Sequence, residues 1–146
     1  MKLETQRLVL KPPRVEDIDA IVAVAGEPSV AAMTLVPHPY GPGDAMVWIT
    51  RAEQEWAAHG HGGLAVFIRE TMTFIGAVGL RATGEPGVCS TGYWFSPAVW
   101  GRGYATEVLR EVLRFGFEVV RLEKIEARHL ISNPASGRVM EKAGMT

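Results

Sequence analysis

The chain has 146 residues, 47% of them apolar and 21% charged, a composition that fits one folded domain and excludes a disordered chain or two ordinary domains. Fifteen Lys and Arg against sixteen Asp and Glu leave a net charge of −1, so the basic excess of a nucleic-acid footprint is absent. No run reaches the ~18 apolar residues of a membrane span, and the opening Met-Lys-Leu-Glu-Thr lacks the apolar core of a signal peptide, which reads as a cytoplasmic protein with no membrane partner.

In chain order, Arg7-Leu8-Val9-Leu10-Lys11 alternates and stops at Pro12-Pro13, a short first strand. Ile18, Ile21, Val22 and Ala25 recur at helical spacing behind Glu16 and Asp17, predicting a helix over 15–26. Prolines and glycines at 37–43 predict a loop. A second helix over 44–59 puts Trp48, Ile49, Ala52 and Trp56 on one face. His59 and His61 sit among glycines and read as a solvated turn, and no metal is expected there because a metal site needs several convergent ligands. Two β-rich runs, 63–68 and 74–80, are separated by a hairpin-sized gap. A loop over 83–87 leads to the run Ser90-Thr91-Gly92-Tyr93-Trp94-Phe95, which ends at Ser96-Pro97.

The single cysteine, Cys89, allows neither an internal disulfide nor a cysteine-based zinc site, and no activating partner lies near it in sequence. A strongly periodic helix over 104–120 follows, with Ala105, Val108, Leu109, Val112, Leu113 and Gly116 on one stripe. Residues 124–130 alternate as another strand. Asn133-Pro134 opens a short helix to Ala143, closed by Gly144. Helices set between strands that also form hairpins imply an α/β (α+β) domain with a mixed sheet.

The chemistry is concentrated in Phe95-Ser96-Pro97-Ala98-Val99-Trp100-Gly101-Arg102-Gly103-Tyr104-Ala105-Thr106. A strand ends, two closely spaced glycines turn the chain, and a helix begins. The first N–H groups of a helix have no internal partners and lie at the positive end of its dipole. Glycine lets an anion approach them without a Cβ in the way. A tight turn alone would use glycines in the same way. A P-loop would need Lys then Ser or Thr after the last glycine, and Gly103 is followed by Tyr104-Ala105. The dinucleotide fingerprint fails as well, since the turn lies late in the chain and lacks the third small residue.

Gly101-Arg102-Gly103-Tyr104-Ala105-Thr106-Glu107, after Gly92-Tyr93-Trp94-Phe95-Ser96-Pro97, resembles the acetyl-CoA-binding motif of the GNAT acetyltransferase superfamily. The segment from Asn133 to Met145 resembles the motif that follows it. Glu4-Thr5-Gln6-Arg7-Leu8-Val9-Leu10 resembles the start of the branch with RimJ- and RimL-type N-terminal acetyltransferases. The resemblance runs through essentially the whole chain, read as a single domain over 1–146. It implies a mostly antiparallel central sheet flanked by helices, and acetyl-CoA as cosubstrate with no metal.

It also implies roles. Tyr93, Trp94 and Phe95 would lie on a strand that splays from its neighbour, their backbone pairing with the pantetheine arm. The amides of Gly101, Arg102, Gly103, Tyr104, Ala105 and Thr106 would hold the diphosphate. Asn133 would bond the pantetheine or the acetyl end. Trp100 stands where many members have Gln or Arg, as is common in this branch. Met140 stands where many place a tyrosine acid.

Acetyl transfer to a primary amine needs a neutral amine, although lysine ammonium has a pKa near ~10.4 and an α-amine near ~8. It also needs a donor for the oxyanion and an acid for the leaving thiolate. Ser136, three residues after Asn133, is the candidate acid relay, against ordinary helix-start hydrogen bonding. Glu126 and His129 are candidate bases; three apart in a strand, they face opposite sides, so at most one enters the site.

Direct transfer in a ternary complex is preferred over an acyl-enzyme. The acceptor is an amine, either a protein N-terminus or a small molecule, with His38, Tyr40 and Trp48 as candidate lining residues. The alternative is a non-catalytic acyl-CoA-binding or regulatory protein of the same fold. Two further strands usually follow the second motif in proteins of this resemblance. Their absence predicts a C-terminally short domain, or an uncovered edge paired in a symmetric homodimer.

Overall fold

The computed structural model describes residues 1–33 and 39–127. The expected strand residues 128–130, the helix over 133–143 and the candidates His38, His129, Asn133 and Ser136 lie outside them.

The chain opens with a small hairpin, β1 (Leu3–Glu4) and β2 (Leu8–Lys11). Its turn is closed by Thr5 N–H donating to the Leu8 carbonyl at 2.9 Å and by Leu8 N–H donating to Thr5 Oγ1 at 3.1 Å. After a 3₁₀ turn (Val15–Asp17), α1 (Ile18–Ala25) buries Ile21 and Ala25. A short α2 (Pro28–Met33) comes next. α3 (Pro42–His59) begins two residues before the sequence reading put it. Pro42 lacks only an N–H that a first turn leaves unpaired, and Asp44 Oδ2 accepts from Gly41 N–H at 2.9 Å. Gly60, at φ 72°, ends the helix.

β3 (Gly63–Ile68), β4 (Thr73–Ala82) and β5 (Val88–Phe95) form a meander. α4 (Tyr104–Arg114) runs on into a π-helical turn (Phe115–Val119), and β6 (Lys124–Ala127) follows. The sheet order is β1-β2-β3-β4-β5-β6, with β6 parallel to β5 and every other pair antiparallel. The mixed, mostly antiparallel sheet flanked by helices is the expected architecture.

Period-two alternation divides the sheet into two cores. One face carries Leu8, Leu10, Val66, Ile75 and Phe95 against Val108, Val112 and Phe115 of the α4 segment. The other carries Ala65, Phe67 and Phe74 against Ile21 of α1 and Ala45 and Ile49 of α3. Consecutive residues of β5 therefore serve opposite faces: Phe95 belongs to the α4 side, Trp94 to the α1/α3 side. Gly116 lets α4 lie close to the sheet, since a Cβ there would come within 2.6 Å of Ile125 Cδ1.

Candidate active site

β5 pairs with β4 along Cys89 to Phe95 and, among the described residues, with β6 along Val88 to Thr91. On the β6 side, the residues that would stand opposite Gly92 to Phe95 follow Ala127 and lie outside the described residues. Thr91, at the last paired position, holds a buried hydroxyl with no partner among the described residues.

Pro97 cannot continue a ladder. The chain leaves β5 through a 3₁₀ turn, Pro97–Val99, where Ser96 Oγ accepts from Ala98 N–H at 3.4 Å. Trp100 folds back, its indole N–H donating to the Phe95 carbonyl at 2.9 Å, which ties the end of β5 to the turn. Gly101 and Gly103 follow at φ 79° and 80°, a region that side-chain-bearing residues enter at a penalty.

Gly103 is the N-cap of α4 and no side chain caps it. A Cβ on Gly101 would meet nothing within 4 Å. The turn is exposed, and Tyr104, Ala105 and Thr106 are half-buried. The first turn of α4, with its dipole behind it, thus begins beside the end of β5. An uncapped helix start behind two left-handed glycines fits a diphosphate.

On the α1/α3 side, Trp94 lies 6.3 Å from Trp48 and 5.9 Å from Phe74, ring centroid to centroid. Tyr40 packs against the same cluster. Burial, with the neighbouring Asp44 charge, pushes the Tyr40 hydroxyl up to about 12. At neutral pH it is a hydrogen-bond donor and no base.

Glu126 shares its register with Ser90. Its neighbour Ile125 is packed under α4, so Glu126 projects to the α1/α3 face. It pairs with Lys124 Nζ at 3.2 Å, four residues back along β5 from Trp94, roughly 13 Å at strand rise.

Two contacts were not legible in the sequence. His59 and His61 do stack, 5.4 Å apart, but His61 is 5% exposed rather than solvated. Its Nδ1 lies 3.0 Å from the Leu80 carbonyl, which can only accept, so Nδ1 carries the proton. Nε2 is left facing Cys89 Sγ at 3.5 Å. Cys89 therefore has a spatial partner that sequence proximity did not reveal. Burial nonetheless pushes its thiol up, and it sits six residues, roughly 20 Å, from Phe95 along β5. We expect Cys89 to react with a thiol reagent at pH 8 at least tenfold more slowly in the folded protein than in urea.

The second contact is an ion pair across the chain. Glu107 Oε1 accepts from Arg7 Nε at 2.7 Å, Oε2 accepts from Arg7 N–H at 3.1 Å, and Oε2 also accepts from the Thr5 hydroxyl. Burial alone would raise this carboxyl, but the bonds from Thr5 and Arg7 and the Arg7 charge outweigh it and hold it below the ordinary range.

A family model described as an acetyltransferase (GNAT) domain matches residues 7–146. The chain belongs to the GNAT family. Uncharacterized N-acetyltransferase YoaA of Bacillus subtilis (strain 168) is 27% identical to this GNAT domain over 143 residues, 97% of this chain and 81% of that protein. The acetyltransferase (GNAT family) from Bacillus anthracis has the same fold, with a TM-score of 0.87 at 22% identity, over 100% of this chain and 84% of that one. Microcin C7 self-immunity acetyltransferase MccE, solved in complex with acetyl-CoA and AMP, gives a TM-score of 0.81 at 13% identity, over 96% and 79%. At such identities the two structures establish the fold, and the GNAT domain match establishes acetyl transfer as the general reaction class. No helix among the described residues is long and apolar enough to cross a membrane.

Proposed function

We propose that this domain transfers an acetyl group from acetyl-CoA to a primary amine, a protein N-terminus or a small amine, by direct attack in a ternary complex. The observation that carries the reading is the Trp100–Gly103 turn. Two left-handed glycines lead into the first turn of α4, which no side chain caps, beside the end of β5. That MccE was solved with acetyl-CoA on the same fold supports the choice of cosubstrate.

In this reading the backbone of Tyr93, Trp94 and Phe95 takes the pantetheine arm, and the amides of Gly101 to Thr106 take the diphosphate. Asn133 steadies the thioester end. A backbone N–H on β5 receives the developing oxyanion. Ser136 relays a proton to the departing thiolate. Glu126 or His129 removes the amine proton, Glu126 through a water chain, which its register opposite Ser90 supports. Tyr40 and Trp48, with Trp94, form the acceptor side. A buried, neutral Cys89 supports direct attack over an acyl-enzyme. The opening Glu4 to Leu10 run supports the RimJ/RimL-like branch and so a protein N-terminus as acceptor.

The test is consumption of acetyl-CoA against a panel of N-terminal peptides and small amines, with the wild type beside Ser136→Ala. Turnover on at least one amine is expected, and Ser136→Ala is expected to lower kcat by tenfold or more with CoA affinity nearly intact. CoA binding without turnover on any amine would favour a non-catalytic acyl-CoA-binding protein.

A further inference from the structure

We propose that Arg7 is a positioning residue for the diphosphate cradle, setting the Arg102–Gly103 peptide and neutralising Glu107 in the first turn of α4. The inference rests on the acetyl-CoA reading above and adds to it a residue far from the glycine motif.

The guanidinium of Arg7 holds three parts of the turn at once. Nε donates to Glu107 Oε1 at 2.7 Å, Nη1 donates to the Arg102 carbonyl at 3.1 Å, and the charged carbon stands 4.2 Å from the centre of the Tyr104 ring. The planar fork of arginine makes such a set possible, since its N–H groups diverge in fixed directions.

The bond to Arg102 O has a directional consequence. A trans peptide is planar, with its C=O and the following N–H pointing opposite ways. Drawing the Arg102 carbonyl toward Arg7 therefore turns the Gly103 N–H away from Arg7. That amide donates to no backbone acceptor among the described residues. Gly103, on the far side of that peptide, is in the left-handed region at φ 80°, where the peptide can flip at little steric penalty. The clamp selects one of the two orientations.

The second consequence is electrostatic. A carboxylate in the first turn of a helix interacts well with the helix dipole, but it repels an incoming diphosphate. Glu107 is held ionised at that place by Thr5 and Arg7. Pairing with Arg7 cancels its charge before the anion arrives. Removing the Arg7 side chain alone would leave the charge of Glu107 uncompensated in the first turn of α4, worse than removing both charges.

The experiment is calorimetric titration of acetyl-CoA into the full chain as wild type, Arg7→Gln and the double variant Arg7→Gln/Glu107→Gln, with circular dichroism confirming the fold of each. We expect Arg7→Gln to raise Kd about tenfold, ~1.4 kcal/mol. The double variant should recover roughly a third to a half of that loss on a logarithmic scale. A merely structural contact would not give recovery, because both variants lack it.

Wild-type affinity in folded Arg7→Gln, or a double variant no better than the single, overturns the inference while the acetyl-CoA reading stands. A wild type that binds no acetyl-CoA overturns that reading and this inference with it. Should Arg7→Gln fail to fold, Arg7→Lys carries the test. It keeps the charge without the fork, about threefold weaker binding is expected, and unchanged binding overturns the inference.

Discussion

Gly103→Val is expected to weaken acetyl-CoA binding by well over tenfold, more than about 1.4 kcal/mol. From sequence alone, the new side chain would simply stand where the diphosphate goes. The structure moves the cause. A Cβ on Gly103 would point toward Arg7, 3.6 Å from Nη2, and the backbone there has φ 80°. Holding a β-branched residue in the left-handed region costs on the order of 1–2 kcal/mol. The chain relieves that strain by rotating the peptides on either side, the same peptides whose amides form the proposed cradle. The γ-methyls of valine, one step beyond the Cβ, also press on the guanidinium that holds the Arg102 carbonyl. Strain and displacement act together on the ligand-facing amides. Calorimetry on a variant with a wild-type circular-dichroism spectrum reads the effect directly. Unchanged affinity in that folded protein would remove the cradle assignment.

The largest loss of stability is expected from Gly76→Ala, one methyl group in β4. Gly76 is paired with Phe95. A Cβ built on it would overlap the Trp94 carbonyl oxygen and lie 2.6 Å from Phe95 Cδ1 and 3.0 Å from Phe95 Cα. Most of these obstacles are backbone, which cannot swing aside as the tip of a side chain would. β4 and β5 must separate at the end of β5, where Ser96 N–H donates to the Ile75 carbonyl at 2.8 Å and Trp100 bonds the Phe95 carbonyl. Overpacking of this kind costs about 3 kcal/mol or more. For a domain of this size that lowers the midpoint by roughly 10 °C. Thermal unfolding followed by circular dichroism measures it. A shift under 2 °C would show that the strands meet less closely at this glycine than described.

What the sequence disclosed follows from the range over which each feature is encoded. The α4 stripe is local: Val108, Leu109, Val112 and Gly116 repeat at helical spacing, and all four are buried. The glycine turn is local as well, since the strand end, Ser96-Pro97 and both glycines lie within nine residues of one another.

Features set by distant partners were missed. β1 is two residues long and exists because Leu3 and Glu4 meet Leu10 and Val9; two residues carry no period. α2 opens on Pro28 and is only six residues long, too short to give a periodic signal. The change from α to π geometry at Phe115 leaves the apolar spacing almost unaltered, so the stripe did not reveal it. His61 was read as a solvated turn from its glycine neighbours, whereas its burial comes from Leu80 and Cys89, 19 and 28 positions away. Arg7 looked like an ordinary strand residue because Glu107 is 100 positions further on. The signal that could have found it is chemical: a carboxylate in the first turn of a helix proposed to bind an anion calls for a cation from elsewhere.

The length of that connection bears on how the protein assembles itself. The Thr5–Glu107 bond closes a loop of 102 residues, and contacts of such sequence separation form only after the entropy of closing the loop has been met. The hairpin carrying Thr5 and Arg7 leaves the ribosome long before α4 does. It therefore waits, half-paired, until β3 supplies its partner edge and the glycine turn arrives. The proposed cradle is then expected to be among the last parts to become ordered and among the first to come apart. Substitutions in the clamp should accordingly speed unfolding while leaving the refolding rate nearly unchanged, and saturating acetyl-CoA should slow unfolding by holding together the two ends of this long loop.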